Sequence, residues 1–314
     1  MVEEAVTGGP GFRIKGIGMA VPERVVGNLE IAERLGVDAS WIESRTGILE
    51  RRYVEPGESS ATLGARAARQ ALERSGISAN QIDVIIAATC TPDHQFPSTA
   101  CLIQHDLGAD SAGAFDLSAA CSGFIYSLAV GAGLAGGGDA RRVLIVGVDI
   151  LSRHIDFDDP ITAPLFGDGA GAVVLEGDDT LQPLRFSLGA DGSGGERVLI
   201  PAGGSRLPAS IETVSQRLHC IRMNGREVYR AAVRTMSTLG AELVTDGFEL
   251  LVAHQANRRI LVDCASCLGV DMSKVFVNIN RYGNTSGASI PLALCEAWEG
   301  GHLKEADRVL MLAF

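Results

Sequence analysis

Cys121, His254 and Asn284 are the residues of this 314-residue chain whose types and settings best suit covalent chemistry. Cys121 lies in AFDLSAACSGFIYSL (114–128), where a short apolar strand gives way to alanine, serine and glycine. A buried cysteine is often only a small hydrophobe. At a strand-to-helix turn, however, backbone N–H groups and the helix dipole favour the thiolate, the reactive form. His254 ends the apolar run ELLVA (249–253), where α/β proteins place ligand-facing residues. Asn284 sits in RYGNTSG (281–287). Histidine and asparagine can aim two donors at one developing oxyanion. The same three residue types also suit a papain-like protease, in which the histidine activates the cysteine. Protease signatures place that cysteine near the mature N-terminus in a Gly-Ser-Cys-aromatic setting, which this chain lacks.

Strands and helices alternate around these residues. Residues 82–89 (IDVIIAAT), 143–150 (VLIVGVDI) and 249–254 (ELLVAH) read as buried strands; 59–76 and 285–298 read as helices. The chain is therefore α/β, with sheets covered by helices. It also repeats itself. Residues 122–146 and 286–312 each begin Ser-Gly, run through an apolar helix to a glycine pair, and end in Arg-Val-Leu. Upstream, 81–89 parallels 248–256, and each is followed by a helix ending in Leu-Gly, at 107–108 and 268–269. This predicts two pseudo-twofold halves, 1–178 with the cysteine and 179–314 with the histidine and asparagine, whose equivalent loops meet at a shared interface.

Composition narrows the partners. With 46% hydrophobic and 21% charged residues the chain is an ordinary globular protein, and 27 basic against 38 acidic residues give a net charge of −11. Nucleic acid and anionic membranes need positive fields, so neither is expected as a bulk partner. The start, MVEEAVTGGP, has no signal-peptide pattern, which predicts no export and a cytoplasmic protein. Seven scattered cysteines make no disulfide framework and fit a reducing compartment. Residues 117–138 carry no charge, but their glycines predict a helix buried between close neighbours rather than a membrane span.

Five motifs, RTGI (45–48), DLSAACSGF (116–124), FGDGAGAV (166–173), HQAN (254–257) and GNTSGASIP (283–291), occur in an order that resembles the β-ketoacyl-(acyl carrier protein) synthase III family. The resemblance covers nearly the whole chain. It implies a thiolase-like fold with a layered α-β-α-β-α core, a homodimer, and no cofactor, acyl-CoA and malonyl-acyl carrier protein being substrates. Cys121 matches the acyl-accepting nucleophile, and His254 and Asn284 match the pair that assists malonyl decarboxylation. Trp41 matches a tryptophan that stacks on the adenine of CoA, with Arg45 near its phosphates. Phe96 matches a side chain that reaches the partner's acyl pocket, Asn257 a residue of the entrance, and Phe314 a substrate-binding position. A same-fold acyltransferase that passes the acyl group to another acceptor is the alternative.

The chain departs from the family at two places. Pro160 stands where many members carry an arginine opposite the adenine-stacking tryptophan, and loss of that cation–π partner predicts CoA binding weaker by about 1 kcal/mol. The family also continues beyond the position of Phe314 with a glycine-rich loop that completes the oxyanion hole, so the expectation is a shortened chain or an incomplete hole. GDGAGA (167–172) is followed by an apolar strand rather than a helix, and Cys264 and Cys267 have no second pair, so neither predicts a nucleotide or metal site. Arg222, Arg226, Arg230 and Arg234 recur every four residues, which predicts one basic helix face. With Arg258 and Arg259, Arg226 and Arg230 are the candidates for docking an acidic carrier protein.

Overall fold

The computed structural model describes residues 11–136, 140–178, 180–181, 184–245 and 247–314. The ten N-terminal residues, Gly137, Gly138 and part of the expected boundary between halves lie outside them. Strand β1 (Gly11–Ala20) is followed by a small ribbon, β2 (Val25–Gly27) and β3 (Glu50–Arg52), which encloses helices α1 (Asn28–Leu35) and α2 (Ala39–Thr46). Helix α3 (Ser60–Ser75), β4 (Val84–Ala88), α4 (Thr99–Leu107), β5 (Gly113–Leu117), α5 (Gly123–Gly136), β6 (Arg142–Ile150) and β7 (Asp168–Asp178) complete the first layers. Their sheet runs β1-β7-β6-β4-β5, parallel among β6, β4 and β5 and antiparallel elsewhere.

The excursion that follows β7 holds β8 (Val198–Leu199), α6 (Ile211–Ser215) and β9 (Arg222–Met223). Helix α7 (Gly225–Val244), β10 (Leu250–Ala253), α8 (Arg258–Leu268), α9 (Ile279–Tyr282), α10 (Ser289–Glu299) and β11 (Val309–Leu312) follow. β10 and β11 pair in parallel.

Three apolar clusters stack these elements into five layers. Alanines of α3 and alternate residues of the large sheet form the first cluster. The opposite face of that sheet packs with α5, α10 and the Leu250 and Val252 side of β10. Leu251 and Ala253 point the other way, as strand alternation requires, into a cluster with α7 and α8. The order α3/α4, sheet, α5/α10, β10/β11, α7/α8 is the layered α-β-α-β-α architecture expected from the sequence. β6 and most of β7 are buried on both faces, which accounts for their unbroken apolar runs.

Helix α5 differs from expectation in one respect. One face packs on the sheet, where Gly131 lies close to Val143 and Ile145, but Val130 and Gly133 reach solvent. Its glycines serve contact on one side, and the helix is not enclosed all round. No helix among the described residues is long and apolar enough to cross a membrane.

The two most similar turns meet at the middle of the stack. A short 3-10 turn at Ala120–Ser122 leads into α5, and another at Ser286–Ala288 leads into α10. Each begins with a non-glycine residue in the left-handed region, Ala120 at φ 44° and Ser286 at φ 49°. That matching conformation aligns Cys121 with Gly287, two residues away from the register that the Ser-Gly pairs suggest. The left-handed residue, not the dipeptide, fixes the equivalence. Gly147 of β6 makes this meeting possible, because a Cβ there would collide with the Gly287 carbonyl. Gly147→Ala should therefore cost about 1–3 kcal/mol through overpacking. Urea denaturation of the variant should show a lower midpoint with an unchanged slope, and a midpoint equal to wild type would refute the tight contact.

Candidate active site

Cys121 and Asn284 both line a cavity of about 1330 Å³. Cys121 is half-buried in its turn, just ahead of the N-terminus of α5. Burial is the largest influence on its thiol and pushes the pKa up to about 11. A hydrogen bond with Ser286 and its own backbone N–H pull the pKa down, while the Asp149 carboxylate pushes it up. The turn thus offsets burial only in part, contrary to the simple expectation of a stabilised thiolate. At neutral pH the resting group is a thiol.

Ser286 joins the nucleophile to Asn284. Its hydroxyl bonds Cys121, and its backbone N–H donates to Asn284 Oδ1 at 2.9 Å. The carbonyl end of the Asn284 amide is thereby used, leaving the Nδ2 donor for a ligand in the cavity. The Asn284 backbone is clamped as well. Its N–H donates to Leu165 O at 2.8 Å, and its carbonyl accepts from Gly167 N–H at 3.0 Å.

His254 is fully buried just beyond the end of β10, and Phe314, which lines the cavity, stands against its ring with centroids 5.6 Å apart. Its Nδ1 lies 2.6 Å from Ser289 Oγ, and that same oxygen accepts from Gln255 N–H at 3.2 Å. Among the described residues Nδ1 is the acceptor for the serine hydroxyl proton, so the imidazole carries its own proton on Nε2. Nε2 has no hydrogen-bond partner among the described residues. Burial pushes the His254 pKa down to about 3, so the ring is neutral at physiological pH. A neutral ring with a free Nε2–H is a hydrogen-bond donor, suited to an oxyanion rather than to proton abstraction.

The profile described as 3-oxoacyl-[acyl-carrier-protein (ACP)] synthase III matches residues 115–192, and that of its C-terminal part matches residues 240–314. The β-ketoacyl-[acyl-carrier-protein] synthase III of Roseiflexus sp. (strain RS-1) is 48% identical over 306 residues, covering 95% of this chain and 93% of that one. Its namesake from Rhodopirellula baltica is 45% identical over 329 residues, covering 97% and 95%. This chain belongs to the β-ketoacyl-(acyl carrier protein) synthase III family. The synthase III crystal structure from Thermus thermophilus superposes with a TM-score of 0.88 at 41% identity, covering 96% of this chain and 94% of that one. The Aquifex aeolicus structure gives 0.85 at 39% identity and covers 96% of each chain. The protein is accordingly a thiolase-fold condensing enzyme that transfers acyl groups.

The other residues singled out in the sequence of this synthase III relative fall into three groups. Trp41, Arg45, Asn257, Pro160 and Phe314 all line the cavity. The Arg45 guanidinium lies 4.7 Å from the centroid of the Trp41 ring, so this tryptophan has a cation on its own helix although Pro160 replaces the expected one. Asn257 caps α8, its Oδ1 accepting from Arg259 N–H at 2.9 Å, and its Nδ2 donates to Arg45 O at 3.0 Å. It is a brace between α8 and α2 as much as an entrance residue. Phe96 lies away from the cavity and is 86% exposed.

The arginine stripe needs one correction. Arg222 belongs to β9 and is separated from α7 by the cap residue Asn224, so the basic face starts at Arg226. Arg226, Arg230, Arg234 and Arg259 are exposed and line the cavity; Arg258 is exposed on α8 and packs against Gly47. Cys264 and Cys267 lie in α8, one buried and one exposed, both free thiols.

Ser286 and Ser289 were missed as functional residues, although both stand in the motif that supplies Asn284. Asp149 gave no signal beyond ending an apolar strand. The buried neutral His254 also sets a pH dependence. Its folded pKa lies below the unfolded value, so its contribution to stability is complete above about pH 6.5 and is lost as pH falls toward 3. Between pH 7 and 4 the wild type should lose about 3 kcal/mol more stability than His254→Gln. Urea titrations of both proteins at the two pH values check this, and equal losses would contradict a buried neutral ring.

Proposed function

We propose that the protein catalyses decarboxylative condensation of an acyl-CoA primer with malonyl-acyl carrier protein, the step that initiates fatty acid synthesis. The observation that carries this reading is one cavity with a thiol and an amide donor in its interior and with Trp41, Arg45 and exposed arginines also on its walls. Such a cavity suits a long substrate with an anionic, aromatic head and a thioester tail. The Cys121 thiol exchanges with the acyl-CoA thioester, forming an acyl-cysteine and releasing CoA as its thiol. Malonyl-carrier protein then loses carbon dioxide, and its enolate oxygen is stabilised by His254 Nε2–H and Asn284 Nδ2. The enolate carbon attacks the acyl-cysteine, giving the 3-oxoacyl-carrier protein and a cysteine thiolate that takes up a proton.

Carrier docking falls to Arg226, Arg230, Arg258 and Arg259 in this reading. None of them forms an ion pair among the described residues. A homodimer is supported by β5, an edge strand of the large sheet with a partly exposed Phe115, and by the exposed Phe96 on the loop leading into neighbouring α4. Free thiols at all seven cysteines favour a reducing compartment, the cytoplasm.

Intact-protein mass spectrometry after exposure to acyl-CoAs tests the nucleophile: wild type should gain one acyl group and Cys121→Ala none. His254→Ala and Asn284→Ala should retain acylation while carbon dioxide release falls about a hundredfold or more. Stoichiometric labelling of Cys121→Ala at another cysteine would overturn the nucleophile assignment; acylation without any carbon dioxide release in the wild type would reject condensation and favour transfer to a different acceptor.

Docking has its own test. Replacing both Arg226 and Arg230 by Glu should raise the KM for malonyl-carrier protein roughly tenfold at low salt, and high salt should shrink the difference. The KM for a short acyl-CoA should rise less, and kcat should hold, because uniform binding is what these contacts supply. An unchanged carrier KM would leave these arginines as a solvated face.

A further inference from the structure

Arg51 is fully buried in β3, yet it has no carboxylate among its hydrogen-bond partners in the described residues. Its Nη1 donates to Val26 O at 3.2 Å and to Asn28 Oδ1 at 3.0 Å, and its Nη2 donates to Pro164 O at 2.7 Å. Nε has no partner. Taking a guanidinium out of water costs several kcal/mol, and an apolar side chain of similar volume would fill the same space without that penalty. What an apolar residue could not do is hold three acceptors, from β2, from α1 and from the segment before β7, in one rigid plane.

The segment held by Nη2 is the one that clamps Asn284. Pro164 is followed by Leu165, whose carbonyl accepts from Asn284 N–H, and then by Phe166 and Gly167, whose N–H donates to the Asn284 carbonyl. The stem of Arg51 runs along the same junction: a Cβ added to Gly167 would approach Arg51 Cβ to 3.1 Å, and one added to Gly283 would approach it to 3.4 Å. Gly283, immediately before Asn284, is held in the left-handed region at φ 63°. Arg51 therefore touches the chain on both sides of the clamp. It does not line the cavity.

We propose that Arg51 is a positioning residue that fixes Asn284: its guanidinium holds the Pro164 carbonyl, and the backbone that follows holds the asparagine amide where the enolate forms. The inference rests on the reading of Asn284 as an enolate donor. It predicts that Arg51 governs the second half of the reaction and leaves the first nearly untouched.

Arg51→Lys is the informative substitution, since the ammonium keeps the charge but cannot span the three acceptors. Carbon dioxide release from malonyl-carrier protein should fall roughly 10- to 100-fold through kcat, the effect of displacing a reacting group by a fraction of an ångström to an ångström. Acylation of Cys121 in a single turnover should stay within about threefold of wild type, because the Cys121 turn is not among the groups Arg51 contacts. The deciding measurement is a double-mutant cycle. In an Asn284→Ala background Arg51→Lys should cause no further loss of decarboxylation, since the group it positions is gone. A purely structural arginine would depress both half-reactions alike, and its effect would add to that of Asn284→Ala; either result overturns the proposal. If Asn284→Ala itself released carbon dioxide at the wild-type rate, the reading beneath the proposal would fall and the proposal with it. If Asn284→Ala were impaired and Arg51→Lys were not, the proposal alone would fail. Should Arg51→Lys not fold, Asn28→Ala removes one acceptor and leaves the arginine in place. The same cycle then applies, with a smaller loss of carbon dioxide release expected and equal rates counting against the proposal.

Discussion

The Asp149 carboxylate holds the turn that carries Ser286 against the large sheet. It is fully buried at the end of β6, where its Oδ1 accepts from Thr89 Oγ1 at 3.2 Å, Cys90 N–H at 2.8 Å and Thr91 Oγ1 at 3.0 Å. Its Oδ2 accepts from Gly287 N–H at 3.0 Å. A buried carboxylate is tolerated when its lone pairs are satisfied, and among the described residues neutral donors do so. The consequence is geometric. One side chain ties the end of β4 to the turn that carries Ser286, and Ser286 in turn bonds both Cys121 and Asn284. Removing that carboxylate would leave several buried donors without their acceptor at once.

Burial then decides the electrostatic character of the site. It pushes the Cys121 thiol up and the His254 imidazole down, so both groups rest uncharged. A preformed thiolate-imidazolium pair would need charges that this environment penalises from both sides. The reaction chemistry fits the uncharged state: thioester exchange begins and ends with thiols, and the malonyl group brings its own negative charge, which passes to the enolate as carbon dioxide leaves. Hydrogen-bond donors aimed at such a transient charge act more strongly in a low-dielectric environment than in water. Of the groups around the thiol, the Ser286 hydroxyl and the backbone N–H of Cys121 are those that favour loss of its proton.

Much of the site was legible in the sequence because its chemistry sits in short contiguous motifs. Cys121 stands in one turn, His254 at one strand end, and Asn284 in one glycine-flanked loop. The alternation of strands and helices gave the layers for a similar reason: buried parallel strands are written as unbroken apolar runs, and α3 as an alanine-rich period. What escaped notice depends on contacts between segments distant in the chain. Ser289 matters because its hydroxyl meets His254, 35 residues away, and Asp149 because it reaches Gly287, 138 residues away. Arg222 misled for a local reason: four-residue spacing continued through Asn224, whose side chain accepts from Glu227 N–H and so starts α7 after Arg222. The Ser-Gly register misled because dipeptide identity says nothing about which residue adopts positive φ.

The charge of the whole protein and the charge around its cavity point in opposite directions. A net charge of −11 repels an acidic carrier at long range. Fields between exposed charges decay over about 8 Å at physiological ionic strength, so a carrier at contact feels the nearest side chains and little of the distant surface. Those side chains are arginines: Arg226, Arg230 and Arg234 on successive turns of α7, with Arg258 and Arg259 at the start of α8 beside them. α7 and α8 pack on each other through the cluster that also holds Leu251 and Ala253 of β10, the strand that leads directly to His254. The basic surface is thus carried by the same layer that positions the His254 imidazole.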